Sequence, residues 1–124
     1  MSPRQRRRRF RSAALLLALF AASPAYAIDG NKLLQFCSGS ASDQLTCQAY
    51  INGAADQLMV MADMGFAAKV CAPTNLVWKQ TRDIAVKFIS EHPEKRAAES
   101  TMLIGIALYT AFPCEVQKPV QPRM

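Results

Sequence analysis

Apolar residues recur between positions 31 and 112 at spacings of three and four, which is the period of a helix with one buried face. No stretch alternates cleanly with the period of two that a half-buried strand shows. The pattern predicts four helices, at about 31–37, from 42 or 43 to 64, at 75–90 and at 93–111. We therefore expect a small all-α, four-helix domain.

Residues that begin or end helices separate these segments. Ser42 or Asp43 can cap the second helix, because its side-chain oxygen can accept hydrogen bonds from the first free amides. Gly65 offers a left-handed stop for that helix. Thr74 is expected to cap the third helix, and Pro93 to open the fourth at a position where an N–H is not needed.

The second helix carries the clearest apolar stripe. Its predicted buried face is Cys47, Tyr50, Ile51, Ala54, Leu58, Met61 and Ala62. Gly53 interrupts this helix, where glycine costs about 1 kcal/mol relative to alanine. We expect another backbone to approach closely at that position.

Residues 1–27 have the organisation of a secretory signal peptide, with cleavage after Ala27. An arginine-rich start precedes an apolar segment of eleven residues, 12–22, and Ala25-Tyr26-Ala27 supplies small residues at the cleavage site. The apolar run is shorter than the roughly 20 residues of a membrane span, so no stable anchor is expected. The Arg7-Arg8-Arg9-Phe10 sequence leaves twin-arginine export open beside the general route.

The basic charge of the chain belongs to this leader. Six of the 15 Lys and Arg residues lie in residues 1–27, while the other nine and all nine acids lie in residues 28–124. The mature part therefore has no net charge, which argues against nucleic-acid binding. We predict one domain over residues 28–115 and a loose tail over residues 116–124.

Four cysteines in a short exported chain indicate two disulfides. The third and fourth helices should be antiparallel because a short loop joins them, so Cys71 before one and Cys114 after the other should meet. Cys37 at the end of the first helix should lie near Cys47 in the second. We predict the pairs Cys37–Cys47 and Cys71–Cys114.

The sequence shows no pattern typical of catalytic or metal-ligating residues. His92 is the only histidine, it has no partner at metal-ligand spacing, and no nucleophile signature accompanies it. We expect it to be an exposed turn residue, and we predict no catalytic residues, no metal and no cofactor. Met59, Met61 and Met64 are interpreted as core filler, with an adaptable binding surface as the alternative. Trp78 fits either the edge of the core or an interface anchor.

Four sequence elements resemble the Rap/Tai immunity proteins of type VI secretion systems. They are CQAYING at 47–53, VCAP at 70–73, EHPEKR at 91–96 and ALYTAFPC at 107–114. Their order and spacing match the family over most of residues 31–114. The matching residues are mostly disulfide sulfurs, helix breakers and core positions, so they support the fold more directly than a binding site.

The resemblance implies a periplasmic inhibitor without catalysis of its own, which blocks the active-site cleft of a peptidoglycan amidase effector. Dimers are known in the family, so a homodimer is expected, with Trp78, Gly105 and Ala107 as candidate contacts. The candidate partner-binding loop is Glu91, His92, Pro93, Glu94, Lys95 and Arg96, because it is polar, stiffened by proline and expected to be exposed.

Two other classes of function stay open at this point. One is a chaperone-like protein of the periplasm, and the other is an envelope-associated domain that shares the fold but has no toxin partner. An amidase gene next to this one would favour the immunity function over both.

Overall fold

The computed structural model of the chain describes residues 27–115, and this part is all-helical, without strands. Its helices are α1 (Gly30–Cys37), α2 (Ala41–Asp63), α3 (Trp78–Glu91) and α4 (Ser100–Ala111). A short 3₁₀ helix, Pro93–Lys95, lies between α3 and α4. The predicted four-helix class is confirmed. The predicted leader and tail lie almost wholly outside the described residues.

The four helices enclose one apolar core. Its fully buried large side chains are Leu33, Ile51, Ile89, Leu103, Ile104 and Leu108. They come from all four helices, so unfolding any one helix would expose core side chains to solvent. No helix among residues 27–115 has the length and apolar character needed to cross a membrane.

Helix α2 begins at Ala41, earlier than predicted. Ser40 is its N-cap, and the Ser40 Oγ accepts a hydrogen bond from the Asp43 N–H at 3.2 Å. The Asp43 carboxylate accepts in return from the Ser40 N–H at 3.1 Å. This reciprocal capping box satisfies two amides, whereas Ser42 or Asp43 as the cap would have left them free.

The end of α2 confirms the predicted glycine stop. Gly65 has φ of 81°, and it is the only residue of the described chain with a positive φ. The Phe66 N–H donates to the Met61 carbonyl at 2.8 Å, and the Gly65 N–H donates to the Ala62 carbonyl at 3.0 Å. These two bonds form a Schellman motif, which closes the last turn of the helix.

Helix α3 begins at Trp78, three residues later than predicted, and Thr74 does not cap it. The residues expected in its first turn form a separate turn, closed by the Leu76 N–H on the Pro73 carbonyl at 3.1 Å. The Val77 N–H then donates to Gln80 Oε1 at 3.0 Å. The connector between α2 and α3, residues 64–77, is held against the end of α4 by the Cys71 N–H on the Phe112 carbonyl, so residues 72–77 are needed to reach α3.

Helix α4 begins at Ser100 rather than at Pro93. A helix running on from Pro93 would bond the Ser100 N–H to the Arg96 carbonyl. Instead, the Ser100 N–H donates to the Ile28 carbonyl at 2.9 Å, and the Arg96 carbonyl accepts from the Asn31 N–H at 3.3 Å. Pairing with residues 28–31 therefore replaces the first two turns of the predicted helix.

Gly30 makes this pairing possible. A Cβ at this position would stand 2.7 Å from the Leu103 Cδ1 and 3.1 Å from the Arg96 backbone. Gly53 is different, because a Cβ there would meet no heavy atom within 4 Å. The close backbone approach predicted at Gly53 is therefore wrong, and the one the structure shows is at Gly30.

Both predicted disulfides are confirmed. Cys37 is bonded to Cys47 across the α1–α2 turn, and Cys71 is bonded to Cys114. The Cα atoms are 5.0 Å apart in each pair. The second bridge joins the connector to the end of α4, as expected if α3 and α4 are antiparallel.

Candidate partner-binding surface

The loop between α3 and α4 contains the six residues singled out by the sequence, and it is a fixed structure. Glu91 is the last residue of α3, and Pro93–Lys95 forms the 3₁₀ helix. The Lys95 N–H donates to the His92 carbonyl at 3.0 Å, and the Ala98 N–H donates to the Lys95 carbonyl at 2.9 Å. These turns give the loop a defined path.

His92 anchors the first end of this loop. Its Nδ1 lies 2.7 Å from the Phe88 carbonyl oxygen, which can only accept, so Nδ1 carries the proton and donates it. Its ring also stacks on the Phe88 ring with centroids 4.2 Å apart. His92 is half-buried rather than an exposed turn residue, and its role here is to close the end of α3.

Arg96 anchors the other end. Its Nε donates to the Ile89 carbonyl at 3.0 Å, and its Nη2 donates to the Ser90 carbonyl at 2.6 Å. These carbonyls belong to the last turn of α3, which lacks helical partners and has a partial negative charge. The expectation that Arg96 is exposed is wrong, because its guanidinium is engaged in capping α3.

The remaining loop residues face solvent. Pro93, Glu94, Lys95 and Glu91 are exposed. The Lys95 Nζ is 3.5 Å from Glu94 Oε1, and the Lys87 Nζ is 3.9 Å from Glu91 Oε1. A hydrogen bond from its own backbone N–H lowers the pKa of Glu94, and the positive charge of Lys95 acts in the same direction. We refer to residues Glu91–Lys95 as the ridge, and its exposed side chains carry both signs of charge.

A shallow cleft lies beside the ridge, with a volume of about 290 Å³. Lys87, Glu91 and His92 line it together with residues of α4 such as Ala107 and Thr110. Ridge and cleft form one uneven surface, which suits recognition by shape rather than the binding of a small molecule.

The sequence alone allowed either a core or a binding position for three methionines and for Trp78. Met59 and Met61 are half-buried, but Met64 is 63% exposed, so it is not core filler. Trp78 is 72% exposed, which excludes the edge-of-core interpretation. Gly105 and Ala107 are buried within the chain, so these two predicted dimer contacts are wrong.

The described residues form a small all-helical domain with two disulfides. The model of the Rap1a immunity proteins matches residues 29–114, and the chain belongs to this family. No curated protein and no solved structure matches the chain.

Family membership confirms the resemblance and gives the chain its class of function. Rap1a immunity proteins are non-catalytic, so the chain is not an enzyme. They bind cognate amidase effectors, which implies inhibition of a type VI amidase. Membership and the two disulfides also point to the periplasm.

Proposed function

We propose that the mature protein inhibits a peptidoglycan amidase effector by placing the ridge Glu91–Lys95 in the active-site cleft of that enzyme. The observation that supports this most is the double anchoring of the loop, by His92 on Phe88 and by Arg96 on the end of α3. A segment that is already ordered loses little entropy on binding. An inhibitor of this kind needs no reactive group.

The chemistry of the ridge fits an enzyme cleft in a second way. Lys95 and its partner Glu94 are both exposed, so their ion pair is weak and can be exchanged for pairs with the amidase. Arg96 is unsuitable for this role because it is committed to α3. Lys95 is therefore the cation that we expect to contact acids near the cleft.

The test exchanges the two ridge charges without changing net charge, using Glu94→Lys with Lys95→Glu. The matched control exchanges another exposed pair, Lys79→Asp with Asp83→Lys, whose charged atoms are 2.7 Å apart in the first half of α3. Affinity for the amidase encoded beside this gene is measured by calorimetry. We expect the ridge exchange to weaken binding about tenfold or more, and the control to stay within about threefold.

Two results would count against the proposal. Equal affinity for the ridge variant would place the inhibitory surface elsewhere on the chain. Failure of the unmodified protein to bind that amidase would remove the amidase as the partner and favour an envelope-associated or chaperone-like function.

Export is part of the same proposal. We propose that residues 1–27 direct secretion and are removed after Ala27. The intact mass of protein taken from the periplasm should then begin at Ile28 and be four hydrogens lighter than the reduced chain. Full-length protein with free thiols in the cytoplasm would contradict it.

A further inference from the structure

A second surface, distinct from the ridge, lies between α2 and α4. It is an open groove with a volume of about 640 Å³. Ten residues line it, among them Tyr50, Gly53, Met61, Ala67 and Met102. None of them is charged, and most of the lining is apolar. We refer to it as the α2–α4 groove.

Apolar side chains remain accessible along the groove. Met102 lines it and is 53% exposed, while Met64 and Phe66 lie in the chain between the lining residues Met61 and Ala67 and are also exposed. Ile106, one turn beyond Met102, is partly exposed as well. A group of exposed apolar residues of this kind on a small protein is typical of an interaction site.

Gly53 is one of the residues that line the groove. It lies in the middle of the 23-residue helix α2, where glycine costs about 1 kcal/mol relative to alanine. Nothing in the described chain occupies the space above it within 4 Å. The internal packing therefore does not require a glycine, whereas an external helix could approach closely there.

The elements that form the groove carry acidic rather than basic side chains. Helix α2 contains Asp43, Asp56 and Asp63 without any lysine or arginine, and α4 contains no charged residue. Glu99 lies at the loop end of the groove, close enough to Tyr50 that its charge, after burial, helps to raise the pKa of the tyrosine. The one base close to the lining in sequence is Lys69, in the connector.

We propose that the α2–α4 groove docks a helical segment of a partner protein that has an apolar face flanked by lysine or arginine. The apolar face would cover the lining, and the flanking bases would lie near the acids of α2 and near Glu99. A second copy of this chain fits less well, because a symmetric pair joined through this groove would bring the same acids together. This proposal does not depend on the amidase.

The test uses two labelled helical peptides of about 20 residues, a length at which an isolated helix can form. Both have the same leucine face, but one is flanked by lysines and the other by glutamates. Fluorescence anisotropy measures their binding to the mature protein and to two variants. Gly53→Trp fills the groove, and Gly53→Ala is the matched control that leaves it open.

We expect the lysine peptide to bind the unmodified protein and Gly53→Ala within about threefold of each other, and Gly53→Trp about tenfold or more weaker. The glutamate peptide should bind the unmodified protein about tenfold or more weaker than the lysine peptide does. Circular dichroism checks that both variants fold. If Gly53→Trp does not fold, Met102→Lys and Met102→Leu replace the two variants with the same expectations.

Three outcomes would overturn the proposal. Equal binding of the lysine peptide by the filled variant would show adsorption outside the groove. Equal binding of the two peptides by the unmodified protein would remove the charge argument. A dimer that dissociates in Gly53→Trp but persists in Gly53→Ala would assign the groove to a second copy of the chain.

Discussion

The guanidinium of Arg96 donates to the carbonyl of Ile89 at 3.0 Å, across the loop that separates them. Together with the bond to the Ser90 carbonyl, this contact ends α3 and fixes the base of the ridge. One side chain thus joins the stability of the fold to the shape of the candidate binding surface.

Replacing Arg96 should therefore destabilise the protein, whereas replacing its neighbour should not. We expect Arg96→Ala to lower the free energy of unfolding by about 1–3 kcal/mol, because carbonyls at the end of α3 lose charged donors. Lys95→Ala should change it by less than about 0.5 kcal/mol, since that side chain is exposed. Urea unfolding measures both. Equal stability of the two variants would contradict the assigned role of Arg96.

Two glycines should respond to alanine in opposite directions. Gly30→Ala forces a methyl group against Leu103 and the Arg96 backbone, so we expect it to lower stability by about 1–3 kcal/mol. Gly53→Ala fills open space within a helix and should raise stability by up to about 1 kcal/mol. Thermal unfolding of the two variants side by side tests this. The same sign for both would be evidence against the contacts described at Gly30.

The two disulfides should differ in their contribution. Paired replacement of Cys71 and Cys114 by alanine should lower stability by about 4 kcal/mol, because this bridge closes a loop of 43 residues in the unfolded chain. The Cys37–Cys47 bridge spans only 10 residues, for which the same model gives about 3 kcal/mol. Denaturant unfolding of both variants gives the comparison. A larger loss for the shorter loop would show that burial of Cys37 and Cys47 outweighs chain entropy.

The free energy of unfolding should fall in alkaline solution, because Tyr50 loses its proton more readily in the unfolded chain than in the folded one. Burial, and then the charge of Glu99, raise the pKa of Tyr50 above its ordinary value near 10. The folded state therefore holds the phenolic proton more tightly than the unfolded state. This contribution is fully present below pH of about 10 and is lost as pH rises through the pKa of the folded protein. Tyr50→Phe should show a shallower alkaline decline, measured as unfolding free energy against pH, and an unchanged slope would contradict it.

Self-association should involve Trp78 if the protein forms a homodimer, since Gly105 and Ala107 are buried. Trp78 is the only tryptophan of the chain, so its fluorescence reports this one site. We expect sedimentation to show a dimer at micromolar concentration, with emission that shifts to shorter wavelength as the dimer forms. Trp78→Ala should weaken the association about tenfold or more. A monomer at high concentration would leave Trp78 available for another partner.

Local chemistry was sufficient to predict much of this fold from sequence. The glycine stop at Gly65 and both disulfide pairs follow from short-range signals or from loop length, and all are confirmed. The predicted start of α4 was wrong because a contact between residues distant in sequence determines it. No residue near Pro93 signals that Ile28 will take the amide of Ser100, because the partners are 72 positions apart.

In the candidate site, too, the sequence predicted local features but not those that depend on long-range packing. The sequence identified Glu91–Arg96 as a polar, stiff loop, but it could not tell which side chains turn inward. Arg96 was a recognisable candidate for a helix cap, since basic residues near a helix end often bond its carbonyls. The α2–α4 groove was missed because Tyr50 and Met61 belong to an apolar stripe, and a stripe does not show which of its positions remain uncovered.

The backbone of the loop is held partly by the segment that begins α1, through the Asn31 N–H on the Arg96 carbonyl and the Gly30 N–H on the Ala98 carbonyl. A synthetic peptide with the sequence of residues 91–96 would lack these donors, and it would also lack Phe88 and the end of α3. It would have to be ordered by the amidase itself, at a cost in conformational entropy of about 1–2 kcal/mol for each residue fixed. The ridge is thus a property of the whole domain, and mimicking it would require a scaffold that holds both of its ends.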